Sequence, residues 1–116
     1  MWQRALSGSG GGGGIVTDTF TTSSSGKDIT LGFEPSLVVV DIECATAGRH
    51  NLYYWTADNN QTFVAARYNT AGSAATSLNC YNFTVGGITK TSNGFRFEAN
   101  ISSSEENNRP AVYYAG

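Results

Sequence analysis

Charge is what this sequence has least of. Charged residues fill 14% of its 116 positions, against roughly a quarter in an average soluble domain. The seven basic side chains fall singly between Arg4 and Arg109, and the net charge is −2. With no basic cluster to neutralise a run of phosphates, nucleic acid is not an expected partner. A polybasic membrane-binding patch is excluded on the same ground.

Cysteine and histidine are also scarce. Cys44 and Cys80 have no second cysteine or histidine at ligand spacing, so no zinc site is expected. The two thiols read either as buried small hydrophobes or as a disulfide, whose existence spacing alone does not decide. No calcium loop or histidine tract points to another metal, and no cofactor is expected. No apolar stretch approaches the length of a membrane span. The opening Met-Trp-Gln-Arg-Ala-Leu-Ser-Gly lacks the apolar core of a signal peptide, so synthesis in a cytoplasm without an encoded export route is expected. Strong helix formers do not dominate either, which argues against a helical fold.

What is present is Ser, Thr, Asn and Gly, with 12% aromatics. Aromatic and β-branched residues supply apolar surface to bury, so the chain is expected to fold rather than stay disordered. Two segments are legible. Residues 1–14 form an apolar-plus-basic peptide and a glycine linker, in which six of residues 8–14 are glycine and have no side chain to bury. Residues 15–116 have the composition of one folded domain. Trp2 and Leu6 are large apolar groups on a spacer, and with Arg4 they read as an anchor for docking onto something else.

Within the domain, strand-like segments alternate with turn signals. Strands are expected over residues 15–22, 29–33, 37–42, 52–55, 62–68, 79–85, 88–91, 95–99 and 111–116. Residues 64–67 also fit a helical turn. Turns are expected at 23–28, around Gly48, at 58–60, at Gly86-Gly87 and at Asn93-Gly94, the last a pair suited to positive φ in a tight hairpin; residues 69–77 read as loop. The fold class expected is all-β: a compact antiparallel β-sandwich or jelly roll of about eight strands, carrying an extended glycine-rich arm.

Catalysis is not expected. His50 lies in a Gly48-Arg49-His50-Asn51 context and reads as a solvated turn histidine, with no nucleophile-elbow pattern to support a triad. Asp41 and Glu43 would share one face of a strand, formally a glycosidase pair but ordinarily a polar edge. Glu105 and Glu106 fall in a polar loop and are expected to face solvent. The aromatic runs Tyr53-Tyr54-Trp55 and Tyr113-Tyr114 must send neighbouring rings to opposite faces of a sheet. One ring of each run can enter the core, leaving the other for sheet packing, an oligomer interface or a ligand. Tyr53, Trp55 and Tyr68 are the candidate ligand contacts, with surface carbohydrate the candidate ligand.

Three stretches also resemble a known group. Residues 29–40, Ile-Thr-Leu-Gly-Phe-Glu-Pro-Ser-Leu-Val-Val-Val, resemble the I-x-L-G-F-x-P-S-x-V-x-V stretch of small C-terminal β-domains in bacteriophage tail- and head-fibre proteins. Thr91-Ser92-Asn93-Gly94-Phe95-Arg96-Phe97 resembles their S-x-N-G-F-x-F/V hairpin, and Val112-Tyr113-Tyr114-Ala115-Gly116 their Y-Y-x-A-x-G ending. The opening Met-Trp-Gln-Arg-Ala-Leu before the glycines is similar to short stand-alone phage structural proteins. The resemblance implies a virion protein made in the host cytoplasm and a homo-oligomer, often a trimer. It would dock by its N-terminal arm on other virion proteins and project the β-domain toward the host surface. The matched residues concern fold, so the resemblance transfers no functional residue. The alternative reading is a stand-alone carbohydrate-binding β-sandwich module.

Overall fold

The alternation of Val38, Val40 and Ile42 with less buried neighbours sets the plan of the fold, because a strand sends successive side chains to opposite faces. In a computed structural model, residues 14–69, 76–83, 87–99 and 104–116 are described, with backbone alone for 66–69 and 76–83. Residues 1–13, which include the expected anchor residues Trp2, Arg4 and Leu6, lie outside the described residues.

Nine strands run in chain order: β1 (Val16–Thr21), β2 (Lys27–Thr30), β3 (Leu37–Glu43), β4 (Arg49–Thr56), β5 (Thr62–Asn69), β6 (Thr76–Phe83), β7 (Gly87–Thr91), β8 (Gly94–Glu98) and β9 (Pro110–Ala115). They form a six-stranded sheet, β1-β9-β3-β4-β5-β6, and a three-stranded sheet, β2-β8-β7. Every pairing is antiparallel. The fold is all-β, and no helix occurs among the described residues.

The core lies between the sheets. The large sheet contributes Val38, Val40, Ile42, Tyr53, Trp55, Val64, Ala111, Tyr113 and Ala115, and the small sheet Ile88, Phe95 and Phe97. Edge-on ring contacts join the layers: Tyr53 to Phe97 at 4.9 Å and Phe95 to Tyr113 at 5.5 Å. Phe20, on the edge strand β1, closes the side against Phe97 at 6.1 Å. T-shaped pairs suit the ring quadrupole and add roughly 0.5–1.5 kcal/mol each beyond burial. The outer face of the small sheet is polar, with Arg96 donating to Asp28 Oδ1 at 3.0 Å and to the Ser25 carbonyl at 2.7 Å.

Several local readings are corrected. Residues 64–67 are strand, because β5 is paired on both sides, by β4 and β6. β5 runs on to Asn69 and β6 begins at Thr76, so the expected loop over 69–77 is shorter at both ends. The hairpin between β7 and β8 closes one residue early: Thr91 pairs with Gly94, leaving Ser92 and Asn93 as the turn. Neither has positive φ. Gly94 is needed for a different reason, since a Cβ there would overlap the backbone carbonyl oxygen of Ile29 on β2. Gly26 has φ of 101° and sits against the Arg96 guanidinium, where a side chain would collide.

Cys44 is buried as a free thiol, while the side chain of Cys80 lies outside the described residues. Burial pushes the Cys44 thiol up to about 11, and the thiolate is the reactive form. In a Cys80→Ser background at pH 8, Cys44 is expected to stay unmodified by a thiol reagent while folded and to react on denaturation. Fast labelling of the native protein would show that the packing around Cys44 opens.

Candidate functional site

Because β3, β4, β5 and β9 alternate, the large sheet has a second face, turned away from the core. In register across it run Thr17, Tyr114, Val39, Tyr54 and Phe63, one from each of β1, β9, β3, β4 and β5. Tyr114 is 41% exposed and Tyr54 40%, the two large exposed hydrophobics among the described residues. Tyr54 stacks on Phe63 with ring centroids 5.4 Å apart and planes 22° from parallel. The next row holds Val112, Asp41, Leu52 and Ala65. The result is an aromatic and aliphatic band on one side of a molecule whose small sheet is faced with charge.

Beside the band is a shallow depression of about 150 Å³, lined by Thr19, Asp41, Glu43, His50 and the Pro110-Ala111-Val112 stretch of β9. His50 is not a turn residue. It belongs to β4, opposite Glu43, and its Nδ1 lies 2.8 Å from Asp41 Oδ1. Asp41 and Glu43 do share a face, as their spacing requires, but Asp41 is engaged with His50. Among the described residues no group of three His, Cys, Asp or Glu side chains is placed to hold a metal.

The expected ligand contacts are placed differently. Tyr53 is fully buried and Trp55 is 2% exposed, both packed between the sheets. Register explains the correction: Tyr53 and Trp55 face inward with Asn51, and Tyr54, between them, faces out. Trp55 satisfies its indole N–H on Asn60 Oδ1 at 3.2 Å, in the turn before β5. Both are core residues, with no face left for a ligand. Tyr68 pairs with Arg49 and Ser77 in the backbone register, and its side chain lies outside the described residues.

The chain matches no family model, no curated protein and no solved structure.

Glu106 was expected at the surface and is 1% exposed. Its carboxyl oxygens accept from the Asn51 amide and the Tyr53 hydroxyl, and its backbone carbonyl accepts from the Thr22 hydroxyl. Thr22 is a hub: its own hydroxyl also accepts from the Arg109 N–H at 2.9 Å, and its carbonyl from the Asn108 N–H at 3.0 Å. These bonds draw residues 105–109 onto the end of the sandwich. Burial of the Tyr53 hydroxyl inside the core demands an acceptor, and Glu106 supplies it. Nothing local in Ser-Glu-Glu-Asn-Asn marks which glutamate turns inward.

Glu105, its half-buried neighbour, anchors the same segment to the β3–β4 connection. Its carboxylate accepts from the Thr46 N–H and hydroxyl, both at 2.8 Å, and these bonds hold its carboxyl below the usual glutamate range. A lowered folded-state pKa gives stability that is present above the unfolded value and lost as pH falls through the folded one. The Thr46 amide resonance is therefore expected to titrate with a midpoint below that of an unperturbed glutamate, and Thr46→Ala to raise the Glu105 midpoint. A Glu105 midpoint unchanged by Thr46→Ala would disprove the assignment.

Proposed function

We propose that this chain is a bacteriophage virion structural protein, a head- or tail-fibre or decoration component that acts by binding rather than catalysis. Its N-terminal arm, with Trp2, Arg4 and Leu6, docks on other virion proteins, and the β-domain projects from the particle as one copy of a homotrimer. The observation that carries this reading is the aromatic band Tyr114–Val39–Tyr54–Phe63 on the large sheet. Exposed aromatics set in an apolar band are what an interface requires, since they bury large area with little loss of side-chain freedom. The phage-like motifs at residues 29–40, 91–97 and 112–116 and the tethered apolar arm support the same reading.

Attachment to surface carbohydrate is the outward role, and it also defines the alternative, a stand-alone carbohydrate-binding module. That alternative is favoured by the exposed rings of Tyr54 and Tyr114, each an apolar face with a polar tip, rather than by Tyr53 or Trp55. The decisive test is immunogold electron microscopy, with antibody to the purified chain, on phage particles from the lysates that produce it. Gold at a fixed position on the particles is expected. Recovery of all the protein in the soluble fraction, with bare particles, would overturn the virion reading and leave the carbohydrate module.

A further inference from the structure

The outer face of the large sheet extends beyond its aromatic row. Past the two rows already described, Glu43 and His50 stand side by side in a third. The face is therefore five strands wide, from β1 to β5, and three rows deep. At ~4.8 Å between strands and about 6.8 Å between rows, it measures roughly 24 Å by 20 Å, or about 500 Å². Two such faces packed together cover on the order of 1,000 Å², the area at which a specific protein interface becomes tenable. A single sugar ring would leave most of it exposed.

The layout of this face complements itself. Turning one copy onto another about a two-fold axis that runs along the strands, between β3 and β4, keeps each row at its own level. It also exchanges the β9 side for the β5 side. Tyr114 then comes over Phe63 of the other copy, and Val39 over its Tyr54, a small side chain against a large one. Asp41, engaged with His50 of its own chain, comes over Leu52, and Glu43 comes over His50. The carboxylates thus avoid their own counterparts, and Glu43 can accept from an imidazole N–H. A three-fold axis in the same direction also keeps the levels and brings the same two halves together. An axis across the strands, with the faces fully overlapped, would instead lay the rings on Glu43 and His50. Sheets packed face to face keep their strands within about 30° of one another, as an axis along the strands allows.

We infer that copies of this chain associate through the outer face of the large sheet, about an axis parallel to its strands. Tyr114 packs against Tyr54 and Phe63 of the partner copy, and Glu43 lies toward its His50. The inference rests on the homo-oligomer part of the reading above and names the surface that part needs, but not on where the protein sits in a particle. An interface at the low end of the specific range is reversible, with micromolar affinity.

The test is sedimentation velocity of the full-length protein from about 1 μM to about 1 mM, which brackets that affinity. The mean mass is expected to rise with concentration from one chain to two or three. Tyr54→Ser/Tyr114→Ser changes only exposed rings; it is expected to keep its circular dichroism spectrum and to associate at least about ten-fold more weakly. Glu43→Lys and His50→Glu are each expected to weaken association by about two- to five-fold, and an equimolar mixture of the two to recover it. Recovery separates contact between copies from pairing within one, because Glu43 and His50 are also neighbours in the same chain and mixing leaves that pair mismatched. A mass that stays at one chain throughout overturns the inference and leaves the face to a glycan. Association untouched by the tyrosine changes overturns it by placing the contact elsewhere, and charge variants that do not recover on mixing overturn the matching of the rows. Immunogold labelling reads the virion assignment separately from all of these outcomes.

Discussion

Glu106→Ala is expected to be among the most destabilising single changes in this protein, although the residue sits in a polar loop. Removing the carboxyl takes an acceptor from the Asn51 amide and the Tyr53 hydroxyl in a region where Asn51 and Tyr53 are 1% and 0% exposed. A buried donor that loses its acceptor costs about 1–3 kcal/mol, so the two together cost roughly 2–6 kcal/mol. For a domain near 100 residues each kcal/mol is about 4–8 °C in melting temperature, so a fall on the order of 10 °C or more follows. Glu106→Gln separates lost hydrogen bonding from lost shape. Its amide oxygen still accepts from Asn51, and its NH₂ can donate to a Tyr53 hydroxyl that rotates to accept, so most of the stability returns. Thermal melts of the two variants decide the matter. An alanine variant melting within about 3 °C of the parent would mean that water replaces the carboxyl and that the segment is not a latch.

This network also shows where reading the sequence stops. The strands were legible because their signals are local: Val38, Val40 and Ile42 alternate, and turn residues bound most segments. Fold class and the positions of most strands followed from that. The division into sheets of six and three did not, because β9 inserts between β1 and β3 and no local pattern encodes that choice. Residues 64–67 were ambiguous for a related reason. Two alanines between Val64 and Arg67 carry no strong period, and pairing with β4 and β6 decides the outcome. Asn93-Gly94 misled more instructively. The glycine was read as a turn requirement, whereas the structure uses it to let β8 approach the Ile29 carbonyl. Glu106 was out of reach because its partners are 53 and 55 residues away in sequence.

The aromatic cluster at Tyr53-Tyr54-Trp55 is the case where a correct rule left the answer open. Period two requires alternate rings to face opposite ways, yet Leu52, Tyr54 and Thr56 are nearly as apolar as Asn51, Tyr53 and Trp55. Hydropathy along β4 therefore cannot say which set points inward. The tie is broken by β3 and β9, whose smaller core residues Val38, Val40 and Ala115 leave room for large rings on the neighbouring strand. Tyr53 and Trp55 fill that space, and Tyr54 is left outside with Tyr114.

The two faces of β4 make opposite predictions for neighbouring residues. Trp55→Ala is expected to cost about 3–5 kcal/mol, the usual range for removing a large buried aromatic, and it also frees Asn60 Oδ1 from its indole donor. Tyr54→Ala, at a ring 40% exposed, is expected to change stability by less than about 1 kcal/mol, with only the stacking on Phe63 to lose. Function should divide the other way. If the outer face binds a partner or a glycan, Tyr54→Ala weakens that binding while the domain melts nearly as before. Trp55→Ala lowers activity only in proportion to the unfolded fraction, and lowering the temperature should restore it. Denaturant melts of both variants, run beside one binding assay, measure the two effects separately. A stable Trp55→Ala protein that has lost binding would reverse the assignment, placing Trp55 at the contact surface and the sheet's working face on its other side. With Trp55 enclosed by β3, β5 and the small sheet, the stability loss is the outcome the packing requires.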